Sequence, residues 1–381
     1  LIQTITSEEY LYNAYKYIKN KIKVHLAIDT GMSRIGLQMN ENLDRNIKYA
    51  FEHYEVLGAF THISSADSLV TELSEYSILQ IDRFNYVCRK YSDLFKHLHY
   101  KNSASIIKKF KPDVVIGVGG YVSAPVIYAA NKLGVKCCIH EQNSVFGMTN
   151  KFASSFADKI FVSFKSTIDK IEDKSKVIYT GNPCSEKAIN EPVALKEEYG
   201  LTPSKKLVLI VMGSLGSKTI NDKMKSVLTL FNNKDYEVMF VTGKDYYDEY
   251  KDNKYTSNIK IVPYIDNMVR LLKKTDVLVS RAGASTLSEI ASLNVPSILI
   301  PSPYVTENHQ YKNAMDLVSK EAALLIEEKD LEGDILLRNV EKLLTDKLYN
   351  NKLKKNLKNF EVKDSASKIY DEIVKLAKKG D

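Results

Sequence analysis

Short apolar runs, each closed by glycine, proline or a small polar residue, recur along the second half of this chain. Leu207–Met212, Val238–Thr242, Ile259–Val262, Val277–Val279 and Ser297–Ile300 are strand-length and predominantly apolar. Amphipathic stretches separate them. Strands without a polar face, alternating with helices, predict a parallel sheet covered on both sides in the doubly wound manner. Val135–Ile139 extends the pattern upstream. The longest uncharged run, Val114–Asn131, approaches membrane-span length, but Gly117, Gly119, Gly120 and Pro125 divide it into strand, loop and helix. Residues 1–105 alternate as well: a helix over Glu8–Ile22, then strands Val24–Ile28, Val56–Phe60 and Leu98–Tyr100, with polar residues at each strand end. That placement of polar groups suits a β/α barrel. A Lys-rich amphipathic helix is predicted over Phe360–Lys379, packed on a domain face rather than on a membrane.

Three strand-to-helix junctions carry the candidate chemistry: Gly119-Gly120-Tyr121-Val122-Ser123, Gly213-Ser214-Leu215-Gly216-Ser217 and Arg281-Ala282-Gly283-Ala284. Glycine lets backbone approach a ligand closely, and a helix start aims unpaired N–H groups and the positive end of its dipole at an anion. After the third junction Ser285, Thr286 and Ser288 add hydroxyls, and Glu289 stands one turn in, where a carboxylate can accept both hydroxyls of a ribose. Glu307-Asn308-His309-Gln310, beyond the next strand, offers polar groups suited to sugar hydroxyls. Taken singly, each of these residues is also consistent with a plain helix cap or glycine turn. The ordered set outlines a pocket for a nucleotide-sugar. Attack by an acceptor needs a base within hydrogen-bond reach, and no residue is singled out for that role; no acidic pair suits a metal.

The formal charge of +7, from 54 Lys and Arg against 47 Asp and Glu, is spread without a dense basic arm. Nucleic acid is therefore not an expected partner, whereas a pyrophosphate or an anionic membrane face fits. Cys88, Cys137, Cys138 and Cys184 lack metal-ligand spacing and read as reduced core thiols of a cytosolic protein. The N-terminal Leu1-Ile2-Gln3 shows no signal peptide, and the missing initiator Met suggests a fragment.

With its ordered blocks from Gly119 to Gln310, the stretch 106–381 resembles the bacterial glycosyltransferases that add N-acetylglucosamine from UDP-N-acetylglucosamine to lipid I, a membrane-bound peptidoglycan precursor. The resemblance implies a GT-B-type α/β fold, a pair of Rossmann-like domains of which the N-terminal one is truncated and preceded by a partial β/α-barrel fragment. It divides the chain into 1–105, an acceptor part at 106–185, a donor domain at 186–345 and a helical tail at 346–381. On the donor side it implies Ser214, Gly216, Ile265, Ser285, Thr286, Glu289, His309 and Gln310; on the acceptor side Gly119, Gly120, Tyr121, Ser123, His140, Glu141 and Asn143. No cofactor or metal is implied, and the protein would sit peripherally on the cytoplasmic face of the bacterial plasma membrane. An arginine usually follows Asn-Pro in that family, where this chain has Cys184-Ser185. Residues 1–105, with Arg34, His62, Asn102 and Ser103 at three strand ends, resemble the central barrel of alanine racemase, which uses pyridoxal phosphate; the Schiff-base lysine of that family has no counterpart here. Replacement of the acceptor domain's opening part by this segment implies poor or absent turnover.

Overall fold

The computed structural model describes residues 3–16, 20–31, 36–61, 79–80, 83–84, 86–87, 90–91, 97–120, 123–213, 217–250 and 255–378. Two compact units divide the chain at residue 137. Within the first, β1 (Gln3–Ile5), β2 (Lys23–Asp29), β3 (Leu37–Gln38), β4 (Glu55–Thr61) and β5 (His97–Leu98) form one sheet whose pairings are all parallel. Its order is β1-β2-β4-β5, with β3 beside β2, so neighbours in the sheet follow chain order. Helix Leu43–His53 turns Leu43, Ile47 and Ala50 to one side, the i, i+4, i+7 stripe that buries against Leu26, Ile28 and Leu37. The predicted helix over Glu8–Ile22 is found over Glu8–Tyr15.

The sequence predicts a full strand over Leu98–Tyr100; only His97 and Leu98 pair, with Gly58 and Ala59. From His99 the backbone is helical to Phe110, so Asn102 and Ser103 lie inside a helix rather than at a strand end. Ser103 and Ile107 are buried one turn apart, and that helical spacing overrides the short β signal. β6 (Val114–Gly117) then leads through two glycines into helix Ser123–Lys132, dividing the long uncharged run as the glycines predict.

The second unit holds β7 (Lys136–Glu141) beside β8 (Lys159–Val162) and β9 (Val177–Tyr179), again parallel. A larger parallel sheet follows: β10 (Leu207–Val211), β11 (Glu237–Val241), β12 (Ile259–Val262), β13 (Val277–Ser280), β14 (Ser297–Leu299) and β15 (Leu324–Leu325). Along β10 the side chains alternate between two cores. Val208 and Ile210 meet Ile220 and Met224 of helix Lys218–Val227, while Leu209 and Val211 meet Leu287 and Ile290 of helix Ala284–Leu293. A strand buried on both faces must be apolar throughout, which is why these runs show no alternation in sequence. Asp276 fixes the start of the sheet, its carboxylate accepting from the Leu207 N–H at 2.8 Å.

Helix Ser365–Lys378 returns to the turn Thr180-Gly181-Asn182. Gly181 has φ of +73°, and a Cβ there would come within 2.6 Å of Val362 and 2.7 Å of Ser365. The Ser185 hydroxyl donates to Asn182 O at 2.7 Å and lies 3.2 Å from the Ser365 hydroxyl, while Glu186 accepts from the Ala366 N–H at 2.8 Å.

Candidate functional site

Strand order β12-β11-β10-β13-β14-β15 means that the chain winds outward from β10 in one direction, then crosses back and winds outward from β13 in the other. Loops at the carboxyl ends of the strands diverge where the direction reverses, and ligands of open α/β sheets bind in that crevice. Here it is flanked by the 212–217 loop after β10 and the 281–283 loop after β13.

The first loop includes Gly213 at φ +96°, exposed and with open space at its Cβ position. Ser214 and Gly216 lie outside the described residues. Ser217 is the N-cap of helix Lys218–Val227, with extended backbone and no capping bond from its side chain. Its carbonyl receives the N–H and the side-chain amide of Asn221, and that amide also donates to Thr242 O at 3.1 Å, tying the helix start to the end of β11.

In the second loop Gly283 is the N-cap of helix Ala284–Leu293 and can offer no side-chain cap. The N–H groups of Ala284, Ser285 and Thr286 precede the first intrahelical bond, from Leu287 N to Gly283 O, so they are available to an anion. Ser285 is exposed and Thr286 half-buried. Ser288 does not join them: its hydroxyl donates to Ala284 O at 2.9 Å, and the residue lines a cavity of about 140 Å³ with Phe164, Tyr179, Asp316 and Phe360.

Glu289, one turn in, is half-buried and has no hydrogen-bond partner among the described residues. Burial pushes its carboxyl up to about 7, with Lys187 opposing the rise. Lys187 belongs to helix Cys184–Asn190, which packs on helix Ala284–Leu293. By contrast Ser185, one of the pair Cys184-Ser185 at which the resemblance leads one to expect an arginine, is 2% exposed and turned toward Val362 and Ser365.

Two further groups stand where helix His309–Val318 begins. His309 Nδ1 lies 2.9 Å from Thr306 O, which fixes the proton on Nδ1 and leaves Nε2 to accept. Gln310 Oε1 accepts from the Ser302 N–H at 2.9 Å, leaving its NH₂ to donate. Glu307 and Asn308 precede them in left-handed conformations, φ +54° and +51°. The side chain of Ile265, 7% exposed, belongs to the apolar core, so only its backbone can face a ligand.

Acceptor-side candidates fare differently. Gly119 and Gly120 have φ of +87° and +74°, and Ser123 donates through both its N–H and its hydroxyl to Gly120 O; Tyr121 lies outside the described residues. His140 is buried, with Nε2 3.1 Å from Gly181 O and 3.2 Å from the Ser163 hydroxyl, and burial lowers its pKa so that it is neutral. Glu141 accepts from the N–H groups of Asn143 and Gly147 and from the Asn150 amide at 2.8–3.0 Å. The Asn143 side chain is bonded to Asn313, whose amide also accepts from Ser144 N at 2.8 Å and donates to Ala282 O at 3.3 Å. Asn313, which joins the 140–144 loop to the 281–283 loop, carries no such signal in sequence. Arg34 and His62 lie outside the described residues. Ser103 is buried within helix His99–Phe110 instead of standing at the strand end where the racemase-like reading put it.

A parallel sheet reversed at β10/β13, with two uncapped helix starts at its strand ends, is the architecture of a Rossmann-like half of a GT-B-type glycosyltransferase. Comparison with known families agrees: residues 207–369 match the glycosyltransferase family 28 C-terminal domain and residues 52–162 its N-terminal domain. The N-terminal match crosses the boundary expected near residue 105. Over 284 residues the chain is 45% identical to "UDP-N-acetylglucosamine--N-acetylmuramyl-(pentapeptide) pyrophosphoryl-undecaprenol N-acetylglucosamine transferase 1" of Bacillus cereus, spanning 73% of this chain and 78% of that protein. The chain belongs to that transferase family. Among solved structures, MurG of Acinetobacter baumannii superposes with TM-score 0.59 at 20% identity, covering 98% of this chain and 99% of that one. UDP-GlcNAc 2-epimerase of Neisseria meningitidis, bound to UDP-GlcNAc, gives 0.56 at 12% identity over 98% and 99%.

Proposed function

We propose that this chain transfers N-acetylglucosamine from UDP-N-acetylglucosamine to lipid I by direct displacement with inversion. The reading is supported by the reversal of the parallel sheet at β10/β13, by the uncapped helix start at residues 284–286, and by Glu289, His309 Nε2 and the Gln310 NH₂, which have no hydrogen-bond partner among the described residues. The acceptor's 4-hydroxyl attacks the anomeric carbon, the glycosidic bond to phosphate breaks, and UDP leaves with the bonding pair. Charge that develops on the diphosphate meets the N–H donors at residues 284–286, so the route asks for no cofactor. Ribose hydroxyls donate to Glu289; sugar hydroxyls donate to His309 Nε2 and accept from the Gln310 amide.

Division into an N-terminal segment 1–105, an acceptor part 106–185, a donor domain 186–345 and a tail 346–381 is part of this reading. So is peripheral attachment at the cytoplasmic membrane face, where lipid I is presented; no helix among the described residues is long and apolar enough to cross a membrane. Transfer of labelled N-acetylglucosamine to a lipid I analogue tests the proposal. Slow turnover is expected from the chain as it stands, and faster turnover when residues 1–105 are exchanged for a relative's N-terminus. No product from either protein, with UDP-N-acetylglucosamine bound, overturns it.

A further inference from the structure

We propose that Arg281 is a positioning residue that sets Ser217, the N-cap of helix Lys218–Val227, against the donor's diphosphate, acting through the serine hydroxyl and held in its own orientation by Glu328; this rests on the donor-site reading above. Arg281 opens the second crevice loop, yet its side chain reaches the first. Nη2 donates to Ser217 Oγ at 3.1 Å, and Nη1 donates to Ile300 O at 3.1 Å. The Glu328 carboxylate lies 2.7 Å from Nη1 as an ion pair, off the line of any hydrogen bond. Both side chains are buried, at 10% and 5% exposure.

A buried ion pair is a weak source of net stability, because desolvation offsets most of its attraction, but it holds one geometry. Here that geometry ties Ser217, at the start of one helix, to the loop that leads into the other. Ser217 shows what the arrangement accomplishes. As N-cap it could accept from its own helix, but its oxygen accepts from the guanidinium instead, so the hydroxyl proton remains to be donated. A hydroxyl polarised by a cation is a stronger donor, suited to a phosphate oxygen. Lysine cannot replicate the bridge: its three donors radiate from one atom, whereas the guanidinium spreads its donors across a plane wide enough to reach Ser217 and Ile300 together.

Binding of UDP and of uridine to the full chain, followed by titration calorimetry and ligand-observed NMR, separates the possibilities. Arg281→Lys is expected to lose about tenfold in UDP affinity and less than about threefold in uridine affinity. Ser217→Ala, which leaves the buried pair whole, is expected to lose about threefold for UDP and nothing for uridine, and Ser217→Thr to retain wild-type binding of both. Equal losses for uridine and UDP in Arg281→Lys, or unchanged UDP binding by Ser217→Ala, overturn the inference; the serine variant decides if the arginine variant does not fold. Failure of the wild-type chain to bind UDP at all would instead overturn the donor-site reading.

Discussion

The crevice at the β10/β13 reversal and the loop at 140–150 contain the same kinds of residue, put to opposite use. In the loop His140, Glu141, Asn143 and Asn150 spend their hydrogen-bonding capacity on one another and on nearby backbone. Among the described residues, Glu289, the Gln310 NH₂, His309 Nε2 and three N–H groups at the start of helix Ala284–Leu293 have no hydrogen-bond partner. A polar side chain near a ligand is thus a scaffold or a contact according to whether its lone pairs and protons are already committed. Burial alone does not separate the two, since both carboxylates are withdrawn from water.

Removing the scaffold carboxylate gives the larger effect. Glu141→Ala strands the N–H groups of Asn143 and Gly147 and the Asn150 amide, and should cost about 3–5 kcal/mol in denaturant unfolding. UDP affinity of the folded fraction should be unaltered; a selective loss of nucleotide binding would erase the distinction between the two regions.

Glu289→Gln should do the reverse. The Glu289 carboxyl, near 7 when folded and near the ordinary carboxylate value when unfolded, holds its proton more tightly in the folded protein. Wild-type stability therefore falls as pH rises from about 4.5 through 7, by about 2–3 kcal/mol. An amide at this position does not titrate and escapes that loss, so the variant's advantage in melting temperature should grow between pH 5 and pH 8 while its UDP affinity drops at least about tenfold. Because ribose needs the ionised form, wild-type UDP affinity should also weaken about tenfold from pH 8 to pH 6, a dependence absent from the variant. A flat wild-type profile would remove Glu289 from the ribose.

The smallest effect is expected at Ser285→Ala, about 0.5–1 kcal/mol in UDP affinity, since an exposed hydroxyl exchanges water for phosphate while the backbone N–H remains. A loss as great as that of Glu289→Gln would mean that the hydroxyl, not the helix start, holds the anion.

Much of the second unit was legible because its strands are buried on both faces, so Leu207–Val211 and Val277–Ser280 read as apolar runs without needing their partners. Legible too were the helix starts after Ser217 and Gly283, whose signals are local. What escaped depends on contacts distant in sequence. Nothing beside Glu328, in a run of charged residues, signals a buried partner for Arg281. Asn313 reads as an ordinary polar helix residue until its amide is seen joining two loops. The partners of Glu141 and His140 at Gly147, Asn150, Ser163 and Gly181 are likewise fixed by the tertiary fold, and only the fold shows how these two side chains are engaged.

The knot at Gly181, Ser185 and Ser365 also sets a schedule. Ser185 and Ser365 are 180 residues apart. At ribosomal rates of roughly 5–20 residues per second, about 10–40 seconds pass between synthesis of the turn and synthesis of the segment that closes over it. During that interval the turn's hydroxyl and amide groups face water, and the upstream strands β7 to β9 are without the side chains of Val362 and Ser365. Completion of this unit therefore waits for its last helix, however early its sheet begins to form.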